Sequence, residues 1–304
     1  TSAYNSSSSG YGGDVPVDNE LEPLADTNLL WLDIPLLRAD DEGAGVYLGV
    51  VRDGSPWNGG TVSQSLDGGV SFVPLYGFQA DAVAGQTSAG GDGVLRPPRL
   101  VGAWDEHNHV DVELESGTLE SFNKAAVLAG FNAALIGSEI VQFRNAQLRP
   151  NGNYRLSGLL RGRRGTEWAV DTHGTGERFV LLAGSPLRRF KLPVGAQRSF
   201  KTTSADQSLQ DVAAVERTNT GQSLVPYSPA HVRGTRNASG DLEISWKRRT
   251  RYGGNWRDRT GTVPLNEESE SYEIDVLDER GGAGVRTLTS SSPQVTYTAS
   301  QQAA

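Results

Sequence analysis

Apolar positions along this chain recur in short runs set off by glycine, proline, asparagine and aspartate, and almost none carries the 3.6-residue spacing of a helix. Leu29-Leu-Trp-Leu-Asp-Ile-Pro-Leu-Leu37 is an apolar run broken at Pro35, which predicts an edge strand or a strand followed by a turn. Gly45-Val-Tyr-Leu-Gly-Val-Val51 predicts a short buried strand. Gly60–Ser65 and Val70–Pro74 flank Leu66-Asp-Gly-Gly69 and predict a hairpin. Residues 79–98 hold Gly85, Gly90, Gly91, Gly93, Pro97 and Pro98, and read as a long loop or inter-domain crossing. His109-Val-Asp-Val-Glu-Leu-Glu115 alternates strictly, so Val110, Val112 and Leu114 share a face. Residues 116–134 fit either a short helix ended by Gly130 or a pair of strands.

Further along, Ser138–Arg144 and Tyr154–Leu160 read as strands joined by a turn at Leu148–Asn153. Phe179–Ala183, Pro186–Phe200 and Ser208–Glu216 follow as further strands. After Pro226-Tyr-Ser-Pro-Ala230, strands are expected at His231–Thr235, Asp241–Lys247, Ser271–Leu277, Val285–Leu288 and Gln294–Thr298. That even spacing suggests a β-sandwich. The expected fold is therefore mainly β, with a linker at 1–25, a β domain at 26–98 carrying the hairpin and the Gly-rich crossing, a second β domain at 99–228, and a sandwich at 229–304.

Composition supports this reading. The chain has 304 residues, 37% hydrophobic, with 37 glycines, which suits strands and turns over helices. Its net charge of −8 argues against nucleic-acid binding over the whole surface, so no direct nucleic-acid role is expected. The absence of cysteine removes disulfides, thiolate metal sites and cysteine nucleophiles. The absence of methionine leads us to expect a processed product or a piece of a longer chain. Thr1–Gly13 is rich in serine, glycine and tyrosine and reads as part of the linker. No apolar run approaches membrane-spanning length.

Candidate chemistry is sparse. In Trp104-Asp-Glu-His-Asn-His109, His107 and His109 are two apart, and on a strand they would share a face with Asp105 and Asp111. This is the best metal candidate, although a solvated strand face is the commoner meaning of so short a motif. Ser65-Leu-Asp-Gly-Gly-Val-Ser-Phe72 fits the Asp-box pattern, in which Asp67 binds backbone N–H groups of a turn, Gly69 takes positive φ and Phe72 packs under the hairpin. One copy indicates a hairpin, whereas a propeller would need several. His173 and His231 have no recognisable nucleophile nearby in sequence, and there is neither a Gly-x-Ser-x-Gly elbow nor a phosphate loop. No cofactor is expected.

Charge gathers in two places. Arg155, Arg161, Arg163 and Arg164 lie along Tyr154-Arg-Leu-Ser-Gly-Leu-Leu-Arg-Gly-Arg-Arg-Gly-Thr-Glu-Trp-Ala169. They suit a phosphate or an acidic partner surface, or local pairing with Glu167, Asp171 and Glu177. Lys247-Arg-Arg-Thr-Arg251, followed by Tyr252, Trp256 and Arg257, interleaves cations with aromatics, a composition found at interfaces and on glycan platforms. Arg161, Arg163, Arg164, Arg248, Arg249, Arg251 and Trp256 are accordingly the candidate partner contacts. A solvated sheet edge is the bland alternative for the second run.

Three stretches carry a family resemblance: Leu156–Trp168 with His173 downstream, Asn132–Phe143, and Gly240–Arg251 with Pro264–Ile274. Together they resemble the C-terminal portion of the host-specificity proteins that form tail tips and baseplate hubs in long-tailed phages and phage-derived gene transfer agents. The resemblance runs from about residue 25 to the end and is looser before residue 100. It implies two hub-type β domains, a homotrimer within a virion, and partners among baseplate proteins, fibres and a host receptor or glycan. Some members of that family carry a hydrolase-like barrel, and this chain lacks the alternating strand–helix repeats such a barrel needs, so no enzymatic activity is expected of it. Residues 229–304, with Trp246 on the second strand, are similar to a fibronectin type III module, and on that resemblance two final strands are missing. A carbohydrate-binding or sialidase-like β protein is the alternative, suggested by the Asp box and the Trp/Tyr/Arg edges.

Overall fold

The structure is a computed structural model that describes residues 24–38, 40–251, 263–279 and 281–303. The protein is mainly β. Four strands come first: β1 (Asp26–Leu32), β2 (Gly45–Asp53), β3 (Gly60–Gln64) and β4 (Val73–Phe78). A second group follows: β5 (Ala84–Thr87), β6 (Trp104–Leu114), the helix α1 (Lys124–Leu128), β7 (Ala133–Ile136), β8 (Glu139–Leu148), β9 (Tyr154–Arg163) and β10 (Arg178–Leu181). Then come β11 (Arg188–Lys191), β12 (Gln197–Ser204) and β13 (Val215–Thr218). The last group is β14 (Ala230–Arg236), β15 (Leu242–Lys247), β16 (Tyr272–Leu277), β17 (Gly284–Ser290), β18 (Gln294–Tyr297) and the helix α2 (Ala299–Gln302).

Strands β5 to β10 close into a barrel in the order β10-β5-β6-β9-β8-β7. Val110, Val112, Val141, Phe143, Leu156 and Phe179 fill its interior, with Leu114 at the margin. Closure removes the open edges that would otherwise pair with other chains. Two flanking sheets, β1-β2-β11 and β13-β12-β3-β4, form a sandwich. Alternation along β2 explains its unbroken apolar run. Val46, Leu48 and Val50 enter the core between the two sheets. Tyr47 and Val51 face the other way, into a core shared with Ala84, Leu135, Ile140 and Val180 of the barrel. Both faces of β2 are buried from Gly45 to Val51, so charged residues enter only at its end, Arg52 and Asp53.

This pairing corrects the expected boundary near residue 98. β11 pairs with β2, and β12 pairs with β3, so residues 188–218 complete the sandwich begun by residues 26–78, and the barrel is inserted between them. The crossing expected at 79–98 also contains a barrel strand, β5, paired with β6 and β10. Within residues 116–134 the short helix is the alternative that forms, α1 at Lys124–Leu128, with Asn123 Oδ1 capping it by accepting from Ala126 N at 2.9 Å and β7 starting at Ala133. The strand expected at Ser208–Glu216 shrinks to β13 at its far end. The hairpin strand expected from Val70 begins at Val73.

The C-terminal strands form a three-stranded sheet, β14-β15-β18, and a two-stranded sheet, β16-β17. Trp246 is buried and meets Tyr272 edge to face at 4.9 Å between ring centroids. Among the described residues no helix is long and apolar enough to cross a membrane.

Candidate interaction site

The end of β9 carries the chemistry of the barrel. Arg161 points inward and is fully buried. Its Nε and Nη2 grip the Glu139 carboxylate at 2.9 and 2.7 Å, and its Nη1 donates to Arg96 O at 2.7 Å. Gly162 N also donates to Glu139, at 2.5 Å. Gly162 has φ +60°, and a Cβ there would lie 2.9 Å from Glu167 Cα, so only glycine suits this approach. His173 completes the cluster: Nε2 lies 2.7 Å from Glu139 Oε2, and Nδ1 lies 2.7 Å from Glu177 Oε2. Both ring nitrogens face carboxylate oxygens, an arrangement that a doubly protonated ring satisfies by donating at each.

Electrostatics agree. Burial alone pushes His173 down, yet hydrogen bonds to Glu139 and Glu177 raise it above the usual histidine value. Burial likewise pushes Glu139 up, and the bonds from His173 and Arg161, with the Arg161 charge and the Gly162 N–H, hold it below the usual range. A buried pair with every donor and acceptor matched acts as a rigid strut, and breaking it leaves a charge stranded. Arg161 was a candidate partner contact; full burial excludes that role.

The neighbouring cations are also engaged. Arg163 Nε donates to Gln142 Oε1 at 2.8 Å, and Gln142 in turn donates to Val127 O and Phe131 O near the end of α1. Burial first, then the charges of Arg164 and Arg249, lower the Arg163 pKa. Arg164 is exposed and donates to Leu36 O at 2.9 Å. Arg249 pairs with Glu167 at 2.6 Å and lies over the Tyr227 ring, 5.0 Å from its centroid. Tyr227 rests against Gly165, where φ is +85° and a Cβ would come within 2.4 Å of the ring. Arg248 pairs with Glu270, and Arg251 pairs with Glu267 and donates to Ser223 O at 2.7 Å. The turn after β9, the Tyr227 segment and the end of β15 thus form one joint between barrel and C-terminal strands. Trp256, with Tyr252 and Arg257, lies outside the described residues.

The histidine pair does not assemble a metal site. Residues 106–108 bulge opposite Gly158, since Asp105 pairs with Leu159 and His109 with Ser157. Asp105 is consumed by this bulge, accepting from His107 N and Asn108 N. Asp111 accepts two hydrogen bonds from Arg155, at 2.7 and 2.9 Å, and Asp92 takes a third. A guanidinium thus holds the carboxylates a metal would need, and His109 reaches only Asp92, at 3.4 Å. Among the described residues no group of three or more His, Cys, Asp or Glu is placed to hold a metal.

The Asp box closes the β3–β4 turn. Asp67 accepts from Val70 N, Ser71 N and Ser71 Oγ, while Gly69 N donates to Ser65 Oγ. Bonds from Ser71 and Ser65 hold its carboxyl well below the usual range. Gly69 has φ +96°, and Phe72 lies under Lys201, 5.1 Å from Nζ to the ring centroid. Sequence reasoning missed Glu139 and Tyr227. A signal existed for the first: Glu139 stands alone before Ile140-Val-Gln-Phe143, and Arg161 alone after Leu159-Leu160, so two isolated opposite charges enter apolar strands.

Residues 91–180, the barrel from just before β6 through most of β10, match the family model described as Rcc01698-like, C-terminal. The match is consistent with a protein related to those of gene transfer agents. No curated protein sequence matches the chain. Among solved structures, the chain is similar to the FN1–FN3 domains of chicken CNTN1 at 10% identity, covering 90% of this chain and 87% of that one with a TM-score of 0.17.

Proposed function

We propose that this chain is a structural, non-enzymatic component of the tail tip or baseplate of a phage-like particle of the gene-transfer-agent type, where it forms part of a homotrimeric hub. The match over residues 91–180 carries this reading, because it covers the barrel that holds the Glu139–Arg161–His173 strut. The chemistry is that of a scaffold. The Glu139–Arg161–His173 cluster and the Asp111–Arg155 pair satisfy their charges internally, and the candidate surface arginines serve joints within the chain, as Arg249 does with Glu167. Such rigidity suits a part repeated about a symmetry axis. Its partners are other baseplate proteins, fibres and a host surface. Arg164, exposed at the corner, is the cation best placed to touch a neighbour.

Electron cryomicroscopy of purified particles carrying an epitope tag on this chain tests the assignment. Antibody-labelled density at the tail end with threefold symmetry is expected. Label along the tail or on the head overturns it. Incubation of the full chain with purified cell-wall glycan should release no reducing ends.

A further inference from the structure

A cavity of about 320 Å³ opens where the segment after β1, the β7–β8 turn, the turn at Glu167–Ala169 and the loop at 220–222 converge. Two tryptophans line it. Trp31 is fixed from behind by Phe200, 5.6 Å away between ring centroids. Trp168 is 58% exposed, the most solvent-facing aromatic side chain among the described residues. It is not loose: Thr166 and Ala169, on either side, are buried, Thr166 Oγ1 accepts from Ile140 N at 2.9 Å, and Ala169 N donates to Thr166 O. A rigid turn therefore holds a large indole out in water at the mouth of a pocket, an arrangement that scattered surface apolar residues do not make.

The polar complement is specific. Neither the Ser138 hydroxyl nor the Gln222 side-chain amide has a hydrogen-bond partner among the described residues, so both are free to serve a ligand. Asp33 is already occupied, accepting from Thr220 N, Thr220 Oγ1 and Gln222 N. Among the described residues no Lys, Arg or His lines the cavity, so an anionic ligand finds no counter-charge among them and meets the Asp33 carboxylate.

We infer that this cavity binds a neutral sugar ring. A pyranose presents C–H groups on one face and hydroxyls at its rim. The C–H face suits the electron-rich indole of Trp168, and the rim suits an amide and a hydroxyl. The volume is at the low end for small-ligand sites, which fits one ring with water. This inference stands on the cavity alone and holds whether or not the chain resides in a particle.

The test titrates the isotopically labelled full chain with methyl glycosides of glucose, galactose, N-acetylglucosamine and rhamnose, following by NMR the indole N–H signal of each lining tryptophan, Trp31 and Trp168. N-acetylneuraminic acid, inorganic phosphate and a proline-rich peptide serve as controls. At least one neutral glycoside should move these signals with a dissociation constant of about 1–10 mM, as expected for so small a ligand. Trp168→Ala should weaken binding at least ~10-fold, and Gln222→Ala a few-fold, with unchanged melting temperatures. Should Trp168→Ala unfold, Trp168→Phe is expected to fold and keep part of the affinity. Absence of binding by every neutral glycoside at about 50 mM, binding that survives loss of the indole, or preference for a charged control or the peptide overturns the inference.

Discussion

At the scale of single residues, the most deeply buried ion pair is one strut, Arg161 with Glu139. Glu139→Gln keeps the shape but removes the carboxylate that Arg161 grips most closely, leaving only buried Asp105, 3.7 Å away and already accepting from its own bulge. A loss of about 3–5 kcal/mol in urea unfolding is expected. The same cluster sets a pH dependence. His173 is raised above 6.5, so the folded state holds its proton more tightly than the unfolded chain. Its stabilisation is full below pH 6.5 and is lost as pH rises through the higher folded value. Glu139 is lowered from 4.5, so its contribution is present above that pH and lost as pH falls through the lower folded value. Thermal melts from pH 4 to 9 should decline at both ends, and His173→Gln should flatten the alkaline decline and, by removing one of the bonds that hold Glu139 low, soften the acid one. A melting temperature for that variant falling as steeply as wild type above pH 7 would show that another group titrates there.

At the scale of elements, what was legible depended on whether a strand's pattern came from its own faces. β6 announced itself because polar and apolar residues alternate across a barrel wall, and β2 because both its faces are buried. β5 did not. Its Ala84 and Gly85 are small because a Cβ at Gly85 would lie 2.0 Å from Glu113 O, so close approach erased the strand signal and left what reads as loop. The arginine run was legible as charge, but inward and outward directions were not, because Gly162 and Gly165 at positive φ redirect the chain between them. The bulge at 106–108 hid likewise and undid the parity that joined His107 to His109. Gly165→Ala tests the joint these turns create. The added methyl meets Tyr227 at a left-handed φ, which should cost on the order of 1–3 kcal/mol. Limited proteolysis should then cut first near Pro226–Pro229, where the wild type is protected by Arg249 and Tyr227. Unchanged cleavage order would mean the joint is held elsewhere.

At the scale of the whole molecule, sequence order and spatial order diverge, and local pattern cannot report that. The expected division at residue 98 cuts between segments that are neighbours along the chain, yet the sandwich is closed by strands more than a hundred residues later. β12 supplies Phe200, which packs on Trp31 and on Phe190 of β11 at 5.6 and 5.7 Å. β11 covers β2 on the side away from β1. A chain of residues 24–98 alone would expose the edges of two two-stranded ribbons, β1–β2 and β3–β4, and half of each core, and isolated ribbons are marginal at best. It should show collapsed amide dispersion by NMR and no cooperative melt. A chain of residues 24–228 keeps the sandwich, the barrel and their shared core. It loses only rim interactions such as the Arg249–Glu167 pair, half-exposed and worth ~0–1 kcal/mol. It should therefore melt in one transition, because the core of Tyr47, Leu135, Ile140 and Val180 belongs to both parts. Two separate transitions would show that the barrel folds independently of the sandwich into which it is inserted.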